Sequence, residues 1–344
     1  MKVLMIGPDR SVHGGVSGVV NNLYEAGLDQ KVDLYYIGTM VDGSKARKLW
    51  QAIKAYILFL CRISSYDIVH VHMASDSSYY RKSIFIKTAK RLHKKVVLHQ
   101  HGGNFQEFYT EELSDKGRDA VKKVFTMSDK LLVLGKVWKD FFATVTGRDD
   151  IMLLPNSIQI PPLPAKRYDM HKILFLGRLC KEKGIEELFA AMQKLRETYP
   201  DATLYLGGIW EDKELEKKAA NLGDCITYLG WLSGKKKQKY LEECDIFVLP
   251  SYFEGQPVSL LEAMAYACAI VASDVGSIPD MIVDGETGLL TPPGDTETLT
   301  NCLLTLLGQP ELSGQLAGKA RRKAEEEFSI EDTVKQLTEI YQSL

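Results

Sequence analysis

Glu254 and Glu262, with seven residues between them, bracket a turn and the opening of an unusually apolar helix. From Val258 to Ala267 the chain reads VSLLEAMAYA, in which Glu262 is the only charge. A helix apolar on nearly all sides is a buried one. A lone carboxylate on it needs donors, from the protein or from ligand hydroxyls. Pro257 suits the first helical position, which leaves Glu254 in the loop just outside the helix's positive end. The plain alternative makes Glu254 a solvated loop residue and Glu262 a locally satisfied core residue.

A second constellation is Gly177-Arg178-Leu-Cys-Lys-Glu-Lys183-Gly184, directly after a β-type run. A guanidinium can bind two phosphate oxygens at once, a lysine adds a compact charge, and a helix starting near Gly184 adds its dipole, so the set suits a diphosphate. Near the N-terminus, PDRSVHGGV places Gly14 and Gly15 at the opening of a helix, where bare backbone N–H groups can face a phosphate. It is not Gly-x-Gly-x-x-Gly, and no acidic residue ends the next strand, so a dinucleotide fingerprint is missing. Four of the seven histidines form two His-x-His pairs, His70/His72 and His99/His101, each at a strand end. Side chains two apart on a strand share a face, which raises metal binding. No carboxylate or cysteine completes a familiar metal motif beside them, so no metal is assigned. His70 and His72 are read as polar groups satisfied by the scaffold, and His101, followed by Gly102-Gly103, as the active-site residue.

The elements that must position these residues alternate. Short β-branched runs at 3–7, 32–38, 67–72, 95–100, 130–134 and 151–154 are separated by helix-length segments. LPNSIQIPPLPAKRYD then reads as a linker. The alternation restarts at 172–176 and continues at 203–207, 225–229, 245–249, 269–272 and 287–290. This predicts an α/β protein of two doubly wound Rossmann-like domains, 1–160 and 161–330, with a helix at 331–344 packing back towards the first. Ligands of such sheets bind beyond the strands' carboxyl ends, so two domains facing each other would make a cleft lined by strand-to-helix loops.

The 344 residues exceed what one core usually fills. Six scattered cysteines without a Cys-x-x-Cys pair fit reduced thiols in a cytoplasm better than a disulfide framework or zinc site. No signal peptide is visible, and the longest apolar run, Ala55 to Cys61, is too short for a bilayer span. A net charge of −2 hides an asymmetry: residues 1–160 hold 23 Lys and Arg against 16 Asp and Glu, and the remainder 20 against 29. Residues 43–95 alone carry 12 basic side chains and two acidic ones, mostly on helices at 45–63 and 79–93 that also bear aromatics. Basic residues among aromatics suit an anionic membrane surface. With no recognition motif, nucleic acid is not assigned, and solvated helix faces are the plain alternative.

Taken together these motifs resemble the retaining, nucleotide-sugar-dependent glycosyltransferases of family 4 with the GT-B fold. The resemblance runs nearly end to end: Gly14-Gly15, DIVHVH at 67–72, His101-Gly102, Asn156, GRLCKEKG at 177–184, Gly230-Trp231, PSYFEGQPVSLLEAM at 250–264 and VGSIPDMIVDGETGLL at 275–290. It implies that Glu254 touches the donor sugar, with Gly255, Gln256, Val258 and Ser259 around it. Glu262 would bind the ribose hydroxyls, and Arg178 and Lys183 the diphosphate. The backbone at Trp231 and Leu232 would meet the base, and His101 would lie near the acceptor. Gly276-Ser277-Ile278-Pro279-Asp280 replaces the family's frequent Gly-Gly-x-Pro-Glu, and Gln256 stands where an aromatic or aliphatic residue is frequent; both bear on which sugar is carried.

The implied reaction is retaining hexosyl transfer from a nucleoside-diphosphate sugar, a UDP-sugar by preference, to a glycan or lipid-linked acceptor in cell-surface polysaccharide synthesis. Charge building on the leaving phosphate would be met by Arg178, Lys183 and helix N-termini, with no cofactor and no metal; no Asp-x-Asp occurs in the chain. No secure carboxylate nucleophile is apparent, and the resemblance favours front-face attack. A nucleotide-sugar epimerase of the same fold and a non-catalytic sugar-nucleotide-binding protein are the rivals. The setting implied is cytoplasmic, peripheral at the inner face of the plasma membrane.

Overall fold

A computed structural model describes residues 1–344. The chain divides into two compact units, one of residues 1–159 with 329–344, the other of residues 160–328.

The first unit holds a parallel six-stranded sheet: β1 (Lys2–Gly7), β2 (Asp33–Gly38), β3 (Ile68–Met73), β4 (Lys95–Gln100), β5 (Lys130–Val133) and β6 (Met152–Leu153). Their order is β2-β1-β3-β4-β5-β6, so the direction of winding reverses between β1 and β3. Strands β1, β3 and β4 are buried along nearly their whole length, as strands covered by helices on both faces must be. Phe59, Phe85, Phe105, Phe125 and Phe142 fill the space between sheet and helices. The final segment belongs here: the helix Ile330–Gln342 buries Tyr341, and Ile330 donates its N–H to the Ile158 carbonyl.

The second unit repeats the plan with β7 (Lys172–Leu176), β8 (Thr203–Gly207), β9 (Ile226–Gly230), β10 (Ile246–Leu249), β11 (Ala269–Ser273) and β12 (Leu289–Thr291). The order β12-β11-β10-β7-β8-β9 puts the reversal between β7 and β10. Such a reversal opens a crevice at the carboxyl ends of the two strands, because their following loops depart to opposite faces. Two glycines let the loops close on one another there. Gly184 (φ +68°) would put a Cβ 2.0 Å from the Pro250 carbonyl oxygen, and Gly276 (φ +57°) one 1.8 Å from the Glu254 carbonyl oxygen. The loops after β7, β10 and β11 therefore touch backbone to backbone.

All twelve expected strands form, with ends shifted by a residue or two. Pro257 corrects the sequence reading: it is extended (φ −73°, ψ 119°) and caps the helix Val258–Ala265 instead of opening it, so the first turn begins one residue later. The helix expected at 79–93 forms as Asp76–Arg91, but Lys82 does not belong to its solvated face, because it is buried with Tyr79, Phe85 and Ile86.

Candidate active site

In the second unit, the strand ends at the reversal carry the chemistry. Lys183 follows β7, Glu254 follows β10, and they meet: Lys183 Nζ lies 2.5 Å from Glu254 Oε1, with both side chains largely buried. Ser251 Oγ donates to the same oxygen at 2.8 Å. The loops are pinned further by the Tyr252 N–H to the Glu182 carbonyl, the Tyr252 hydroxyl to Glu187, and the Ser277 N–H to the Gly255 carbonyl. Gln256 is buried beside Glu254.

Arg178, at the start of the loop after β7, is half exposed and pairs with Glu211 at 2.9 Å and Glu182 at 3.7 Å. A guanidinium in solvent-exposed pairs gives them up at little cost, so it is free to meet an incoming anion. Glu262 receives the donor that its apolar helix demanded: Lys237 Nζ at 2.5 Å, from the helix Gly234–Glu243. Val258 and Ser259 are half-buried in the first turn of the Glu262 helix. After β9 the backbone turns at Gly230 (φ +68°) into Trp231, half exposed, and Leu232, buried against Gly207.

In the first unit, Gly14 and Gly15 open the helix Gly15–Glu25 with no side-chain cap and nothing within 4 Å of where a Cβ would stand. That leaves the helix N-terminus open after β1, on the reversal in that sheet. His101 follows β4, and it is not alone. Register places His72 of β3 opposite His99 of β4, and His70, His72, His99 and His101 stack with ring centroids 4.0 to 5.7 Å apart. His72 Nδ1 and His101 Nε2 are 2.9 Å apart, His70 Nδ1 meets the Tyr341 hydroxyl at 2.5 Å, and His99 Nε2 donates to the Leu154 carbonyl at 3.3 Å. Asn156 is a hydrogen-bond partner of His101. Burial depresses the basicity of all four imidazoles, His99 down to about 4, so all are neutral. The scaffold does not satisfy His70 and His72 as the sequence suggested. It supplies one partner each and leaves both Nε2 atoms bare in the interior.

Lys82 also faces His72 and His101. Its ammonium donates to Ser78, and burial, aided by Arg81, lowers its pKa to about 7. Reading the sequence missed Lys82, Lys237, Ser251 and Tyr341. Only the last two had a signal, a hydroxyl beside Glu254 and a tyrosine on an amphipathic helix. A cavity of about 300 Å³ in the first unit, lined by Asn22, Glu25, Gly27, Gln30, Gln159 and Glu331, includes none of these site residues.

Residues 170–309 match the family described as Glycosyl transferases group 1. An amylovoran biosynthesis glycosyltransferase of Erwinia amylovora is 28% identical over 301 residues, 81% of this chain and 70% of that one. The chain spans about half the length of the next three curated relatives it matches. Sucrose-phosphate synthase of Thermosynechococcus elongatus has the same fold, with a TM-score of 0.83 at 20% identity over 99% of this chain and 98% of that one. The Anabaena protein HepE, solved with UDP-glucose, gives 0.78 at 18% identity over all of both chains.

Proposed function

We propose, from the premise that this chain belongs to the group 1, family 4-type glycosyltransferases with the GT-B fold, that it moves a sugar from a nucleoside-diphosphate donor to a glycan or lipid-linked acceptor with retention at the anomeric carbon. The observation that carries this reading is the meeting of Lys183 and Glu254 at the reversal between β7 and β10, with Arg178 at its mouth. A β-phosphate seated there receives the ammonium and the guanidinium as its charge builds on departure. Glu254, released from Lys183, then accepts hydrogen bonds from the donor sugar's hydroxyls. Glu262 accepts from the ribose hydroxyls while Lys237 holds its carboxylate in place. His101 lies on the acceptor side.

A UDP-sugar is the preferred donor, supported by the complex of the structural relative HepE with UDP-glucose. Retention follows from front-face attack, in which the leaving phosphate oxygen takes the acceptor's proton as the new bond forms. Because protein cations meet the leaving group, turnover should be the same with and without added Mg²⁺ or Mn²⁺. A panel of UDP-, GDP- and dTDP-sugars, read by release of nucleoside diphosphate with and without acceptor glycans, tests the reaction class. Release with at least one donor is expected, and the product linkage read by nuclear magnetic resonance should keep the donor's anomeric configuration. Silence across the panel would sink the reading.

An acceptor presented at an anionic bilayer is the reading that one helix of the first unit supports. On the helix Lys45–Arg62, Leu49, Trp50, Ile53, Ile57 and Leu60 are all exposed, Trp50 at 68%. At 3.6 residues per turn they fall within one arc of about 100°. Ala55 and Phe59 are buried on the opposite face. Lys45, Arg47 and Lys54 flank the apolar stripe, Lys48 lies towards the opposite face, and all four are exposed. An apolar stripe between cations is what an interfacial helix needs. No helix is long and apolar enough to cross a membrane.

A further inference from the structure

We propose that His70, His72 and His99 form a binding site for a zinc ion in the first unit, a role separate from the donor binding assigned to the second. Three observations carry it. His70 Nε2, His72 Nε2 and His99 Nδ1 are buried with no hydrogen-bond partner, and the ligating nitrogens of the three residues lie within 4.8 Å of one another. A buried polar atom without a partner carries the full cost of its lost hydration, and three together in one interior spot call for a shared occupant.

The hydrogen bonds around the cluster fix the tautomer of His99 and allow the metal-ready tautomers of His70 and His72. The Leu154 carbonyl can only accept, so the proton of His99 sits on Nε2 and its Nδ1 is a bare lone pair. His72 Nδ1 and His101 Nε2 share one hydrogen bond, and either ring can be its donor. With His72 Nδ1 as that donor, His72 Nε2 is a bare lone pair. In the tautomer in which His70 Nδ1 donates to the Tyr341 oxygen, His70 Nε2 is bare as well. Three lone pairs buried this close together are unfavourable, and a cation shared by them would give each a partner. Each ligand's other nitrogen is held by an oxygen or an imidazole, the outer support that orients metal-binding histidines.

Zinc fits best. Three neutral imidazoles suit it, and a tetrahedral ion with Zn–N near 2.0–2.1 Å sets its ligands about 3.4 Å apart, closer than the 4.8 Å within which the three nitrogens lie here. Hard Mg²⁺ and Ca²⁺ prefer oxygen. Lys82 is the cation facing the cluster, and burial, aided by Arg81, lowers its pKa to about 7. A bound ion would tie the ends of β3 and β4 to Tyr341 of the returning C-terminal helix.

The test uses the full chain, stripped with dipicolinate, titrated with Zn²⁺ and analysed by native mass spectrometry, with melting temperature as a second readout. Wild type should retain one zinc per chain and melt higher with it. His99→Phe should lose the zinc and the melting shift. Tyr341→Phe, which keeps all three ligands, should bind about 10–100-fold more weakly. The other cluster-free histidines serve as the control: a His13→Ala, His93→Ala, His171→Ala variant should bind as wild type does. Loss of zinc in that control, retention undiminished in both His99→Phe and Tyr341→Phe, or no zinc on the wild type would each overturn the site.

Discussion

Lys183 Nζ and Glu254 Oε1, 71 residues apart in sequence, stand 2.5 Å apart and join the loop after β7 to the loop after β10. The pair sets opposite demands on one ammonium: Glu254 holds it, and a donor diphosphate competes for it. Lys183→Ala and Arg178→Ala should each lower kcat by roughly 10²–10³, the scale of losing one preorganised donor to a developing anion. Removing Lys183 also strands a buried carboxylate, which can cost about 3–5 kcal/mol of stability. The Lys183→Met, Glu254→Gln double variant separates the effects, since it should regain most of the stability, measured by urea unfolding, and none of the turnover. Near-normal kcat in both single variants would remove the two cations from the reaction.

The second ion pair predicts an affinity effect. Lys237 Nζ lies 2.5 Å from Glu262 Oε1. With Glu262 on the ribose, Glu262→Gln forfeits charge-assisted hydrogen bonds worth about 1.5–3 kcal/mol, or roughly ten- to hundredfold in the dissociation constant of the free nucleoside diphosphate. Lys237→Ala frees the carboxylate to turn and should weaken the same ligand less. Calorimetric titration of the nucleotide checks both, and unchanged affinity in Glu262→Gln would move the ribose elsewhere.

Much of this site was legible in the residues. GRLCKEKG and the two glutamates could be placed on loops after strands because β-branched runs are local signals. That Glu262 must find a donor followed from the apolar residues around it, but Lys237 could not be named, since its helix reads only as a basic surface segment. The two His-x-His pairs were visible, yet their assembly depends on β3 and β4 being neighbours in a register that sets His72 opposite His99. That pairing spans 27 residues and leaves no mark on local periodicity. Lys82 misled because its neighbours in sequence, Arg81 and Lys87, suggest a solvated face, whereas the packing of Tyr79, Phe85 and Ile86 turns position 82 inward.

Lys82 carries a stability prediction of its own. Its folded pKa, about 7, is below the ordinary lysine value, so between about pH 7 and 10 the unfolded chain binds the extra proton and stability rises with pH. Below pH 7 the penalty is present in full. Lys82→Met should therefore stabilise the chain most at pH 6–7, and the gain should fade as pH climbs towards 10. Melting curves across that range check the sign; a gain independent of pH would mean that the ammonium is not the cause.

The exposed stripe on the helix Lys45–Arg62 predicts where the enzyme works. Each cation near an anionic surface contributes about 1 kcal/mol, and Trp50 and Leu49 add apolar burial that salt does not screen. Wild type should co-sediment with vesicles of acidic phospholipid, release only in part at high salt, and bind neutral vesicles weakly. Reversing Lys45, Arg47, Lys48 and Lys54 to Glu should abolish the salt-sensitive part, while Leu49→Ser with Trp50→Ser should abolish the part that survives salt. Lys82 is no use as a target here, since it is buried. Both sets should leave nucleotide affinity unchanged, because none of the six side chains belongs to the second unit. Equal sedimentation with neutral and acidic vesicles, or none with either, would return the helix to an ordinary surface and point to a soluble acceptor.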